Sequence, residues 1–322
     1  MHTSAENKII RGPPTPEDIS QVLRVGVVPE HFSTPFHLAF QEGIFDKYGV
    51  AVDAIEYPRG TGSMCLALRD NQLDVAIALT EGLTSDIIKN GDDSYRIAGT
   101  YVQTPLKWGI VTSSKSTTVK KLSDLHNKTI GISRFGSGSH IMSFLLAERE
   151  HWYKEEESTS DHQLSINFKV CGGLDDLRSA LQQGSIDGFL WETFMLKHYV
   201  DNGELNQIGD ISTPWPCFMV AIRNDVYKKR SREVQRFFEA ITRCTELFHE
   251  KKQESLDFIS KSCHLQMTDA ESWYKTVMFA KQADQISQKV IHDTTRILQR
   301  AKVLPEHVDD QIKLYDCENV VE

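Results

Sequence analysis

The sequence has no run of apolar residues of membrane-spanning length, and its first twenty residues hold no hydrophobic leader segment. That opening stretch carries Glu6, Lys8, Arg11, Glu17, Asp18 and three prolines, and is expected to be a flexible arm over residues 1–20 of a cytoplasmic protein with no membrane partner. Cysteine is sparse and unpatterned. Cys65, Cys171, Cys217, Cys244, Cys263 and Cys317 include no CxxC pair, so free thiols in a reducing compartment are expected. No stretch of Lys and Arg interleaves with aromatics, and 36 basic against 45 acidic residues give a net charge of −9, which repels nucleic acid. Lys228-Lys229-Arg230 is the densest basic patch and reads as a solvated turn or helix start. Catalytic signatures are missing as well. GxxxxGK, GxGxxG and HExxH do not occur, and Phe135-Gly-Ser-Gly-Ser139 lacks the glycine spacing of a nucleophile elbow.

What is present is an ordinary globular mixture, 40% hydrophobic and 25% charged, in a chain of 322 residues. A single core seldom grows beyond about 250–300 residues, so two lobes are expected. The run Val22–Val28, ended by Pro29, reads as a buried strand. A short helix over His37–Gly43 and a strand over Gly49–Tyr57 follow, which makes a βαβ unit. A helix over 61–71 then leads into the strand Leu73–Leu79. The same order returns later as strand Thr129–Ser133, helix to Arg149, strand Ser165–Val170, helix Leu174–Gln183 and strand Asp187–Leu190. Ala67-Leu-Arg-Asp-Asn-Gln-Leu-Asp-Val-Ala echoes Ala180-Leu-Gln-Gln-Gly-Ser-Ile-Asp-Gly-Phe, each with a helix end before an aspartate and a buried strand. Strands over Ile97–Gln103 and Gly109–Thr112 lie where the chain passes to the second lobe, and Ile208–Pro216 is the expected return, before strand Cys217–Arg223. The remainder reads as helical, with Val234, Phe237, Phe238, Ile241 and Phe248 at three- and four-residue spacing. The expected organisation is 21–105 plus 212–322 as a discontinuous lobe one and 106–211 as lobe two, with mostly parallel sheets, helices on both faces and a ligand cleft between the lobes.

Ligands of such sheets gather beyond the carboxyl ends of strands, where helix N-termini present free N–H groups. Four loops qualify. In Ser133–His140, Arg134, Gly136, Ser137, Gly138 and Ser139 offer close backbone approach, hydroxyls and a charge to a phosphate, sulfonate or carboxylate, or alternatively form a helix cap. In Tyr57–Met64, Arg59, Gly60, Thr61 and Gly62 form a second such helix start. The loop Pro29–His37 brings His31, Ser33, Thr34 and His37 to a strand end, without the further ligands a metal needs. Thr80 and Glu81 correspond to Trp191 and Glu192 at the ends of equivalent strands. With Trp215 these supply rings for stacking on a planar ligand and a carboxylate acceptor, against the alternative of core packing.

The segments Leu23-Arg-Val-Gly-Val27, Phe36–Val50, Leu73-Asp-Val-Ala-Ile77, Asp124–Ser133 and Gly184–Phe189 resemble the type II periplasmic-binding-protein superfamily. The similarity runs over residues 20 to 250 and is to the nitrate-, sulfonate- and taurine-binding branch and the related fungal thiamine-pyrimidine synthases. More narrowly, the chain is similar to a fungal intracellular member. The resemblance implies two lobes that close over a small ligand held by the four loops above. The lack of an export segment argues against a transporter partner. In the synthases a pyridoxal-phosphate-binding lysine and a substrate histidine fall at positions that are Ala78 and Gly82 here. The cysteine-rich stretch is Thr213–Val220, with Cys217 alone, so that self-consuming reaction is not expected.

No cofactor and no metal are expected. The reading reached is intracellular binding of a small anionic or heteroaromatic metabolite, such as a thiamine-precursor pyrimidine, a phosphate ester or a sulfonate. The alternative is an enzyme acting on a pyrimidine or pyridoxal-phosphate-like compound through His31, His37 and Glu192. A regulatory effector domain is disfavoured because no DNA-binding module precedes residue 20.

Overall fold

The computed structural model describes residues 8–10, 22–91, 93–153, 164–308, 314–315 and 320–321. The chain divides into two compact units. Unit 1 comprises Met1–Thr104, Trp215–Arg296 and Glu306–Glu322, and unit 2 comprises Pro105–Pro214 and Ile297–Pro305.

Unit 1 begins with β1 (Ile9–Ile10), β2 (Leu23–Val27), α1 (Thr34–Gln41), α2 (Ile44–Lys47) and β3 (Val52–Glu56). It continues with α3 (Thr61–Arg69), β4 (Val75–Leu79), α4 (Thr80–Asn90) and β5 (Tyr95–Val102). Unit 2 holds β6 (Lys107–Ser113), β7 (Thr129–Ile132), α5 (Gly138–Arg149), β8 (Asn167–Val170), α6 (Leu174–Gln182), β9 (Gly188–Glu192), α7 (Thr193–Asp201) and β10 (Leu205–Ser212). The chain returns to unit 1 with β11 (Phe218–Arg223), α8 (Asn224–Lys229), α9 (Ser231–Glu250), α10 (Lys252–Ser262), α11 (Met267–Tyr274) and β12 (Ile286–Ser287). After these come α12 (Gln288–Arg300) and β13 (Val320–Val321). Ile297–Pro305, expected with lobe one, groups with unit 2, where Arg300 pairs with Glu148 on α5. Of the expected N-terminal arm only residues 8–10 are described. Ile9 and Ile10 form an edge strand antiparallel to β3, and the rest lies outside the described residues.

The sheet of unit 1 has the order β1-β3-β2-β4-β11-β5, and that of unit 2 β10-β6-β9-β7-β8. In each, three adjacent strands are parallel: β3, β2 and β4 in one, β8, β7 and β9 in the other. The expectation of mostly parallel sheets needs correction, because both are mixed. Strand β11 runs antiparallel to β4 and β5, and β6 runs antiparallel to β9 and β10. The reason is connectivity. Strands β2 to β4 and β7 to β9 are joined by crossover helices that keep direction, whereas β11 and β6 enter their sheets without one.

Burial follows from composition. Val75-Ala-Ile-Ala of β4 is buried throughout, as a strand covered on both faces must be. On α9, Val234, Phe237, Phe238, Ile241 and Phe248 are buried on one stripe, with α1 and α2 packed against this helix. The exposed side of β5 is closed by the segment after α11, where Ala280 N–H donates to Tyr101 O, Thr100 N–H to Ala283 O and Gln103 N–H to Met278 O.

The internal echo has a physical basis. In unit 1 the Asp74 carboxylate accepts from Arg24 N–H (2.9 Å) at the start of β2. In unit 2 the Asp187 carboxylate accepts from Thr129 N–H (2.9 Å) at the start of β7. Each aspartate fixes the neighbouring parallel strand before its own strand begins.

Candidate functional site

In unit 1, β2 ends at Val27 and is followed, after Glu30, by a tight 3-10 turn, His31–Ser33. Ser33 Oγ donates to Val28 O (2.5 Å), Thr34 Oγ1 donates to His31 O (2.7 Å), and the buried Tyr101 hydroxyl donates to Phe32 O (2.9 Å). The hydroxyls therefore shape the turn. His31 is fully buried, its ring 4.5 Å from Phe32 and 4.4 Å from Trp273, and burial pushes its imidazole down to about 3. His37 goes elsewhere. It stands on α1 with Nε2 4.0 Å from Glu56 Oε1 and its ring 4.3 Å from Phe258. Burial, aided by the Lys8 charge, lowers it to about 4. The two histidines of the loop are thus not brought together. Among the described residues no group of His, Cys, Asp and Glu could hold a metal ion.

The other two loops of unit 1 do meet. Gly60 precedes α3 with φ +67°, and Thr61 Oγ1 accepts from Leu79 N–H (3.0 Å) at the end of β4. Gly82 on α4 packs so closely on Thr61 that a Cβ there would lie 2.5 Å from the Thr61 methyl. Arg59 is exposed beside this junction, and Gly62 is partly buried. Thr80 donates through Oγ1 to Pro216 O, and the buried Glu81 carboxylate accepts from Trp215 Nε1 (2.9 Å). Thr61, Thr80, Glu81 and Trp215 therefore form one polar constellation at the carboxyl end of β4. Its individual hydrogen bonds are protein to protein.

In unit 2 the turn after β7 is a knot of hydroxyls. Ser137 caps α5, accepting from His140 N–H (3.4 Å), and donates to Arg134 O (2.7 Å). Ser139 Oγ accepts from Ser133 N–H and lies 3.0 Å from both Ser133 Oγ and Ser137 Oγ. Gly136 has φ +76°, a conformation that favours glycine, and its N–H donates to His140 Nδ1 (3.2 Å). Gly138 and Ser139 open the helix, ahead of its first intrahelical donor, Ile141 N–H, which reaches Ser137 O. Arg134 and Phe135 are exposed at the tip. At the end of β9, Trp191 and Glu192 are the last two residues of the strand rather than a loop after it. Trp191 packs on the apolar cluster of Val111, Leu177, Phe189 and Leu196, and the buried Glu192 carboxylate caps α7 by accepting from Met195 N–H (2.8 Å). Both residues thus have packing or capping work.

Three residues not singled out from the sequence stand at these strand ends, two of them within the loops read there. Glu30 is crowded enough that desolvation raises its carboxyl to about 7. Phe135 keeps 62% of its surface exposed, which is unusual for a phenyl ring. Trp108 on β6 is 5% exposed, and its indole nitrogen is buried without a hydrogen-bond partner among the described residues. Burial and partnership depend on tertiary contacts, so no local pattern marks them.

The Ca3427-like PBP family model matches residues 108–211. The solved structure of the conserved Candida albicans CA3427 gene product is 32% identical, with a TM-score of 0.82 over 93% of this chain and 96% of that one. The alkanesulfonate-binding protein SsuA of Xanthomonas axonopodis pv. citri, bound to MOPS, is 16% identical with a TM-score of 0.73 over 95% and 99%. The periplasmic nitrate-binding protein NrtA of Synechocystis PCC 6803 is 14% identical with a TM-score of 0.67 over 90% and 83%. No curated protein matches the chain. Among the described residues no helix is long and apolar enough to cross a membrane. An identity of 32% over nearly the full length of both chains places this protein in the family defined by the Candida albicans CA3427 gene product, with its type II periplasmic-binding-protein fold.

Proposed function

We propose that the protein binds a small anionic or heteroaromatic metabolite, of the sulfonate, phosphate-ester or thiamine-precursor pyrimidine class, by closing its two units over it. The observation that carries this reading is the head of α5. Buried Ser137 and Ser139 hold a glycine-hinged turn in place, the N–H groups of Gly138 and Ser139 open a twelve-residue helix, and the exposed Arg134 stands beside them. A helix N-terminus so framed favours negative charge. The α3 start, with exposed Arg59, is the weaker counterpart in unit 1. The alkanesulfonate-binding protein SsuA and the nitrate-binding protein NrtA, of the same fold, support the oxyanion class. The enzyme reading has less support, because Glu192 serves as a helix cap and His31 lies in an aromatic cluster.

A thermal-shift panel of MOPS, inorganic phosphate, nitrate and a thiamine-precursor pyrimidine phosphate tests this. A ligand at a hundredfold its Kd stabilises the folded state by about 2.7 kcal/mol, which is readily measured. At least one probe should raise Tm, and R134A and R59A should diminish the rise. No response to any probe would overturn the reading.

A further inference from the structure

The alternation of the unit 2 sheet separates two faces. Val111, Phe189 and Trp191 share one, packed against α6 and α7 through Leu177, Leu181 and Leu196. Trp108, Ile110, Leu190 and Glu192 point to the other. A right-handed β7-α5-β8 crossover runs opposite to the β8-α6-β9 crossover across the sheet, which puts α5 on the face of Trp108. Register then fixes the level. Trp108 pairs with Glu192 across β6 and β9. Gly131 pairs with Phe189 across β7 and β9, so Glu192 stands level with the turn that opens α5. Trp108 is therefore at the same end and on the same face as that helix N-terminus. Its indole N–H is buried without an acceptor among the described residues. The nearest carboxylate by register, Glu192, is engaged in capping α7.

A buried donor left unsatisfied costs stability, and such groups in native proteins call for a functional reason. We propose that Trp108 is a ligand-binding residue whose indole N–H donates to an oxygen of the oxyanion seated at the head of α5. This rests on the binding function proposed above and adds a specific donor to it. Backbone N–H groups and an arginine would supply charge stabilisation. The indole N–H donates a hydrogen bond but cannot accept one, so it selects for an acceptor atom at that position. A sulfonate or phosphate monoester presents three terminal oxygens and inorganic phosphate four, enough to serve the helix and the indole together.

The test uses the full chain labelled with 15N-tryptophan, whose five indole N–H groups give five resonances. The resonance absent from W108F is that of Trp108. MOPS and inorganic phosphate are titrated separately, which distinguishes a sulfonate from a phosphate acceptor. The expected result is a saturable shift of the Trp108 resonance with the probe that also raises Tm, and about tenfold weaker affinity in W108F. If a probe stabilises the protein while the Trp108 resonance stays fixed and W108F binds it equally, the assignment of Trp108 is overturned and binding stands. If neither probe raises Tm nor moves any indole resonance, both the assignment and oxyanion binding fall. Should W108F fold poorly, the Trp108 resonance is assigned by elimination from W152F, W191F, W215F and W273F, and the shift is still read on the wild-type chain.

Discussion

Glu30 makes the pH dependence of stability calculable. Its carboxyl ordinarily titrates near 4.5, and desolvation at the end of β2 raises it to about 7 in the folded chain. Between these values the unfolded chain loses its proton while the folded chain keeps one, so rising pH favours unfolding. The contribution of the protonated form is complete below 4.5, falls as pH rises, and is gone above 7. The full span corresponds to at most about 3 kcal/mol. His31 and His37 act oppositely. With folded values of about 3 and 4 against an ordinary 6.5, their contribution is complete above 6.5 and is lost as pH falls through 4 and then 3. Both histidines are present in wild type and in E30Q, so the difference between the two isolates Glu30. Urea unfolding at pH 4.5, 6, 7 and 8 should show E30Q equal to wild type at the lowest pH and more stable by up to about 3 kcal/mol at pH 8. A constant difference between the two proteins from pH 4.5 to 8 would refute the reasoning.

Three further perturbations follow from single contacts. W215F deprives the buried Glu81 carboxylate of the 2.9 Å indole donor and should cost about 1–3 kcal/mol in urea unfolding; wild-type stability would mean the bond contributes nothing. In G99A a Cβ would stand 1.9 Å from Ala283 O, forcing away the segment that accepts from Thr100 N–H and Oγ1. A loss of about 2–4 kcal/mol is expected, and a melting temperature unchanged from wild type would contradict the close approach. H37F removes a histidine that is held neutral in the folded chain but protonates when unfolded. Its loss of Tm between pH 6.5 and 4 should be smaller than wild type's, and an equal loss would exclude His37 from the acid limb.

The repeated grammar of the chain was legible because it is local. Val75–Leu79 is apolar enough to be a buried strand on its own, and the Asp74 and Asp187 echo reflects the same strand-start bond made twice. Helices α4 and α7 were not anticipated, since each begins directly at a strand end, at Thr80 and Thr193, with no glycine or proline to mark the change. The mixed sheet order was hidden because direction at β6 and β11 depends on where the chain re-enters a sheet. At the candidate site, sequence identified the turn at Arg134–Ser139 from its glycines and serines. It did not reveal that Ser137 and Ser139 are engaged with Ser133 and Arg134. Equally, nothing local distinguishes Trp108, whose N–H has no partner among the described residues, from Trp215, whose N–H is held by Glu81.

The central claim, that this chain is a binder of small oxyanionic or heteroaromatic metabolites, is tested most directly by native mass spectrometry of gently purified protein, alone and with each panel compound. The account predicts a one-to-one adduct with a sulfonate, phosphate or pyrimidine-class compound, either retained from purification or formed on addition, and weakened in R134A. Protein that stays at its bare mass with every compound at saturating concentration would contradict it.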